Sequence, residues 1–200
     1  MPAPSPSFVI SPIVGEEADY LLVRSDEYMA SLYPAESNHL VSSASLQSGD
    51  ALFLGAFEIA AREPRSVITV KGQQQENRHC IGCVAARFYR AQGYAEIKRL
   101  YVNEDYRGKA IARRLMAAIE AGVLAEGIYC ARLEMGIYQP EAEALYRSLG
   151  YCVIPPFGDY LLDPLSQFLE KKLTKNEGRP TGKRGYERRF LSENDASILS

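Results

Sequence analysis

Residues 95–112, AEIKRLYVNEDYRGKAIA, constrain this chain more than any other stretch. Strand-forming residues at 95–102 give way to a polar turn, Tyr106-Arg107-Gly108-Lys109, and small residues then open a helix. Ile111, Leu115, Ile119 and Val123 recur every fourth residue, with Ala112, Met116 and Ala118 beside them, which predicts a helix over 110–126. Gly127 suits the position just past its end. In the strand, Glu96, Lys98, Leu100 and Val102 are expected on one face, and Ala95, Ile97, Arg99 and Tyr101 on the other.

The rest of the chain reads as strands and helices around this unit. Residues 8–13 and 51–57 read as strands, and 16–32 as a helix that ends before Pro34. A short helix fits within 37–48. Residues 58–78 are polar, hold Pro64, and read as a partly ordered hairpin insertion. Residues 80–89 form a strand closed by a turn at Gln92-Gly93. Then come a strand at 131–136, a helix opened by Pro140 and ended by Gly150, and closing strands at 151–154 and 166–172. Strands that alternate with helices late in the chain predict an α/β or α+β fold with a mixed sheet. One domain over 8–173, with its insertion at 58–79, is expected; the polar residues 174–200 read as a disordered tail.

Composition narrows the function. The 23 basic and 25 acidic side chains are well mixed and leave a net charge of −2, which argues against a nucleic-acid surface. The clearest apolar run, 51–57, is far short of the ~20 residues of a membrane helix. The first residues, MPAPSPSF, do not read as a signal peptide. Four cysteines are too sparse for a disulfide scaffold and fit a reducing, cytoplasmic compartment. Cys80 and Cys83 form a lone CxxC; their spacing on a regular strand puts the sulfurs on opposite faces, so no metal is expected.

Two readings of the 107–112 turn follow. A helix N-terminus offers unpaired amides and the positive end of a dipole, and bare residues let phosphates approach, with Arg107 and Lys109 adding charge. Alternatively, the small residues only permit close packing of helix on sheet. Neither a P-loop nor a dinucleotide fingerprint is present.

Arg107-Gly108-Lys109-Ala110-Ile111-Ala112 resembles motif A of the GNAT superfamily of N-acetyltransferases, Gln/Arg-x-x-Gly-x-Gly/Ala, with Ala110 in place of the middle glycine. RLEMGIYQPEAEALYRSLGY, 132–151, is similar to the family's motif B. The resemblance implies a GNAT fold whose mixed sheet splays between its two middle strands, and acetyl-CoA as co-substrate with no metal. The backbone of Leu100, Tyr101 and Val102 would then pair with the pantetheine arm. Amides from Arg107 through Gly108, Lys109, Ala110 and Ile111 to Ala112 would hold the pyrophosphate. Gln139 stands near a position that contacts the cofactor, and Tyr146 at that of the general acid toward the coenzyme sulfur.

An amine must lose a proton before attacking a thioester, and a strand carboxylate can take it. Glu96 is the first candidate and Glu134 the second. Each has a plainer reading: Glu96 as a solvated strand residue, and Tyr146 as a core tyrosine on the stripe of Ala142, Leu145 and Leu149. His39, Lys98, Glu134 and Phe157 are candidates for the acceptor side. The expected reaction is acetyl transfer from acetyl-CoA to a primary amine of a small, amino acid-like metabolite, by direct attack in a ternary complex. A protein N-terminus or lysine is the alternative acceptor, and a non-catalytic acyl-CoA-binding domain the alternative class. Dimers are common among such relatives, so a homodimer is an open expectation.

Overall fold

The computed structural model describes residues 7–34, 42–47, 49–59, 68–70, 73–75 and 78–174. The expectations for His39 and for the tail lie outside them, as does most of the 58–79 insertion. The elements run β1 (Phe8–Pro12), α1 (Asp19–Leu32), α2 (Ser43–Leu46), β2 (Ala51–Glu58), β3 (Ile68–Val70), β4 (Gln73–Gln75), β5 (Cys80–Tyr89), β6 (Tyr94–Val102), α3 (Ile111–Ala125), β7 (Cys130–Gly136), α4 (Pro140–Ser148), β8 (Cys152–Ile154) and β9 (Ser166–Lys172).

Seven strands form one sheet in the order β1-β2-β5-β6-β7-β9-β8, and β3 and β4 pair as a small hairpin inside the insertion. Only β6 and β7 are parallel, as their connection through α3 requires. The other neighbours are antiparallel. The fold is thus mixed α+β, with helices on both faces of the sheet.

Each face has its own core. Ile111, Leu115, Met116, Ile119 and Val123 of α3 are all buried against Ile81, Val84, Ala95, Ile97 and Leu133. Burying a side chain of this size stabilises by about 1.5–3 kcal/mol, so this stripe anchors the helix. Tyr146 and Tyr151 belong to the same cluster. On the opposite face, Leu21 and Leu22 of α1 and Leu46 of α2 pack on Phe53, Phe57, Cys83 and Tyr101. A third cluster, Tyr94, Cys130, Phe157 and Phe168, fills the far end under the segment 155–165.

Two bulges overturn the regular alternation expected from sequence. In β5 the register jumps from Gly82 to Cys80 opposite Ala56 and Phe57, so Ile81 is an extra residue. Cys80 and Cys83 therefore share a face, contrary to expectation, and both sulfurs are buried in the α1-side core. In β6, Lys98 and Tyr101 pair with Ala85 and Cys83, so Arg99 and Leu100 together face Val84. Arg99 takes a left-handed φ of 58° there. The bulge turns Tyr101 to the α1 side and brings Leu100 and Val102 to the α3 side, which reverses the predicted faces beyond Lys98.

Candidate active site

Strand β6 pairs with β7 only at Ala95–Ala131 and Glu96–Arg132. Beyond Glu96 the strands part, and the edge of β6 from Ile97 to Val102 lines a cleft of about 420 Å³. The two sides of this cleft differ. On the α3 and α4 side lie Arg107, Ala112, Gln139, Ala142, Leu145 and Tyr146. Toward α1 lie Ser25, Tyr28 and Met29, with Lys98 and Glu134 also on the wall.

The phosphate-turn candidates sit at the mouth. Gly108 and Ala110 both adopt left-handed φ, 74° and 57°, which folds the turn tightly against the start of α3. The first helical bond runs from the Arg114 N–H to the Ala110 carbonyl, so the amides before it have no helical partner. Gly108, Lys109 and Ala110 are exposed, whereas Ile111 is buried and serves as a core anchor through its side chain. Arg107 lines the cleft, donates from Nε to the Val102 carbonyl at 3.2 Å, and lies over the rings of Tyr28 and Tyr101. Lys109 turns away: its Nζ donates to the Asp105 carbonyl and rests over Tyr106. Exposed amides, a cation and a bare strand edge fit an anionic, strand-like ligand such as an acyl-CoA; the amides and Arg107 would hold its phosphates, and β6 its arm.

The two carboxylates differ in surroundings. Glu96 is 2% exposed and does not line the cleft. It accepts hydrogen bonds from Tyr160 (2.6 Å), Lys98 (2.9 Å) and Tyr89 (3.2 Å). Tyr160 also accepts from Lys98 at 2.7 Å, which closes a buried triangle. Glu134 lines the cleft and accepts from the Ser166 hydroxyl at 2.6 Å.

Tyr146 is 8% exposed, lines the cleft, and its hydroxyl bonds to no described residue. Burial first, and then the charge of Glu134, push its pKa well above the ordinary tyrosine value. It is therefore a protonated donor at neutral pH. Gln139 caps α4 and borders the same cleft. Phe157 instead packs among Tyr94, Tyr160 and Phe168, away from the cleft lining. Ser25, Tyr28, Met29 and Tyr160 gave no signal of their own in sequence. Only the helical stripe of α1 could have placed the first three near β6.

The matches to known proteins agree with this geometry. The family model "Acetyltransferase (GNAT) family" matches residues 29–151. An IAA acetyltransferase of Azospirillum brasilense is 39% identical over 153 residues, covering 76% of this chain and 88% of that protein. Among solved structures, a Klebsiella pneumoniae chain assigned as an acyl-CoA N-acyltransferase matches with TM-score 0.62 and 27% identity, over 84% of this chain and 98% of that one. PaiA N-acetyltransferase of Thermoplasma acidophilum, solved with coenzyme A, shares the fold at TM-score 0.58 and 21% identity, over 83% and 99%. The chain belongs to the acetyltransferase (GNAT) family. It is an acetyl-CoA-dependent N-acetyltransferase, and the cleft between β6 and β7 is its candidate active site.

Proposed function

We propose that the chain transfers the acetyl group of acetyl-CoA to a primary amine of a small metabolite, by direct attack within a ternary complex. The observation that carries this is the pairing of Tyr146 and Glu134 on the walls of the β6–β7 cleft. A buried, protonated hydroxyl with no hydrogen bond to a described residue lines the cleft, and a carboxylate near enough to raise its pKa lines the same cleft. The name of the Azospirillum relative, an IAA acetyltransferase, supports a small-molecule acceptor.

In this reading acetyl-CoA lies along the open edge of β6, with the backbone of Leu100, Tyr101 and Val102 beside its arm. Its phosphates meet the amides of residues 108–112, since the Arg107 N–H already donates to the Glu104 carbonyl at 3.2 Å, and Gln139 borders the arm from the start of α4. The amine enters from the side of Ser25, Tyr28 and Met29. Glu134, which borders the cleft directly, takes the proton from the ammonium. Glu96, enclosed by three donors, fixes Lys98 and Tyr160 behind the acceptor wall and is the more remote base. The neutral nitrogen attacks the thioester carbon, the C–S bond breaks as the Tyr146 hydroxyl protonates the departing thiolate, and the surplus proton that the nitrogen loses as the amide forms returns Tyr146 to its neutral state. The four described cysteines are all free thiols, in keeping with a reducing, cytoplasmic setting.

The test is a thiol-release screen of the purified chain with acetyl-CoA against a panel of small amines and amino acids. A hit whose turnover falls by about 10²-fold or more in Tyr146→Phe supports the assignment. Turnover that survives that change intact removes Tyr146 from the chemistry.

A further inference from the structure

One carboxylate outside the reaction touches Arg107, the cation proposed above to meet the cofactor's phosphates. Glu104 lies in the turn between β6 and α3. Its Oε2 accepts from Arg24 of α1 at 2.6 Å, and its Oε1 accepts from the Tyr101 hydroxyl at 3.0 Å. The same Oε1 is 3.6 Å from Nη2 of Arg107. Donors from α1, from β6 and from the phosphate turn thus converge on one anion at the cleft mouth. Two of them, Tyr101 and Arg107, line the cleft itself. The donors hold the carboxylate below its ordinary pKa, so it is charged at neutral pH.

We infer that Glu104 is an internal counter-anion that competes with the cofactor's phosphates for Arg107 and Arg24, and so sets the affinity for acyl-CoA. The inference rests on the cofactor placement proposed above. Arg107 is already fixed through its Nε, which leaves its Nη groups to choose between Glu104 and an incoming phosphate. A phosphate that takes them displaces the Glu104 contact and meets the repulsion of its charge. The cost is modest, because the pairs are about half exposed and screened by water. The arrangement also links the two halves of the site. Arg24 adjoins Ser25 on α1, and Asp26, one residue on, pairs with Arg99 at the β6 bulge. Tyr28 lies under the Arg107 guanidinium. Residues 24–28 of α1 thus contact Glu104, Arg99 and Arg107.

The test is calorimetric titration of acetyl-CoA and CoA into wild type, Glu104→Gln, Arg107→Ala and the double variant, at low and high salt. Wild-type binding that weakens in Arg107→Ala supports the underlying placement, and this readout is separate from the effect of Glu104→Gln. Given that binding, Glu104→Gln should tighten both ligands by about three- to tenfold at low salt. Its affinity should then fall more steeply with salt than that of wild type, because one anion has been removed from the mouth. In the Arg107→Ala background the same change should give a clearly smaller gain. Unchanged or weaker binding in Glu104→Gln, with an unaltered thermal melt, overturns the inference, as does an equal gain with and without Arg107.

Discussion

Tyr146 and Glu96 are both buried, and their partners separate their roles. The Tyr146 hydroxyl opens on the cleft with no bond to a described residue, and burial and Glu134 raise its pKa. A raised pKa keeps the proton on the oxygen past the ordinary tyrosine value of about 10. Wild-type turnover should therefore show no alkaline loss from this residue between pH 7 and about pH 10; a kcat profile that loses such a limb in Tyr146→Phe would contradict that. Glu96 compensates the Lys98 ammonium, whose side chain is only 13% exposed. Glu96→Gln would leave that charge buried and unpaired, at a cost of about 3–5 kcal/mol. Glu134→Gln should instead depress turnover and leave the thermal midpoint near wild type. A stable Glu96→Gln with lost turnover would reverse the two assignments. The motifs around Tyr146 and residues 107–112 were legible because they are local. The Glu96 cluster was not, since its closest partner, Tyr160, lies 64 residues away in a segment without periodicity. Phe157 looked like a pocket residue for the same reason: nothing local shows that its ring is enclosed by three other aromatics.

At the scale of the element, the turn into α3 carries both the resemblance and the departure from it. Ala110 stands where the family pattern has glycine, and it takes a left-handed φ of 57° as the N-cap of α3. An L side chain pays about 1 kcal/mol for that conformation, which glycine does not. Ala110→Gly relieves this strain but adds unfolded-state entropy, so the unfolding midpoint should hold or rise by at most about 2–4 °C, with acetyl-CoA bound at least as tightly; a clearly lowered midpoint would show that the turn is not strained. Periodicity placed the strands and long helices to within a residue or two at most ends. It failed at the bulges in β5 and β6, because a bulge is set by the register against the neighbouring strand and leaves no mark in the spacing of apolar residues. The start of α1 also moved, from residue 16 to Asp19, because the polar segment before it forms a turn in which the Val14 N–H bonds to Glu17.

For the molecule as a whole, the decisive feature is that one sheet is paired along most of its width and open at one seam. Antiparallel neighbours hold β5 to β6 and β7 to β9 along their lengths, while β6 and β7 meet at only two residue pairs. The seam exposes the edge of β6 from Ile97 to Val102, and Ser25, Tyr28 and Met29 of α1 line the same cleft. In the proposed reading, two ligands that meet through this opening would react directly, with no intermediate on the protein. Whether this seam holds acetyl-CoA is decided by calorimetric titration of the purified chain with acetyl-CoA, beside CoA and ATP. Acetyl-CoA and CoA should bind with micromolar affinity, ATP much more weakly, and Arg107→Glu should lose acetyl-CoA binding. No acetyl-CoA binding, or equal binding in Arg107→Glu, would mean that the turn at residues 107–112 only packs helix against sheet.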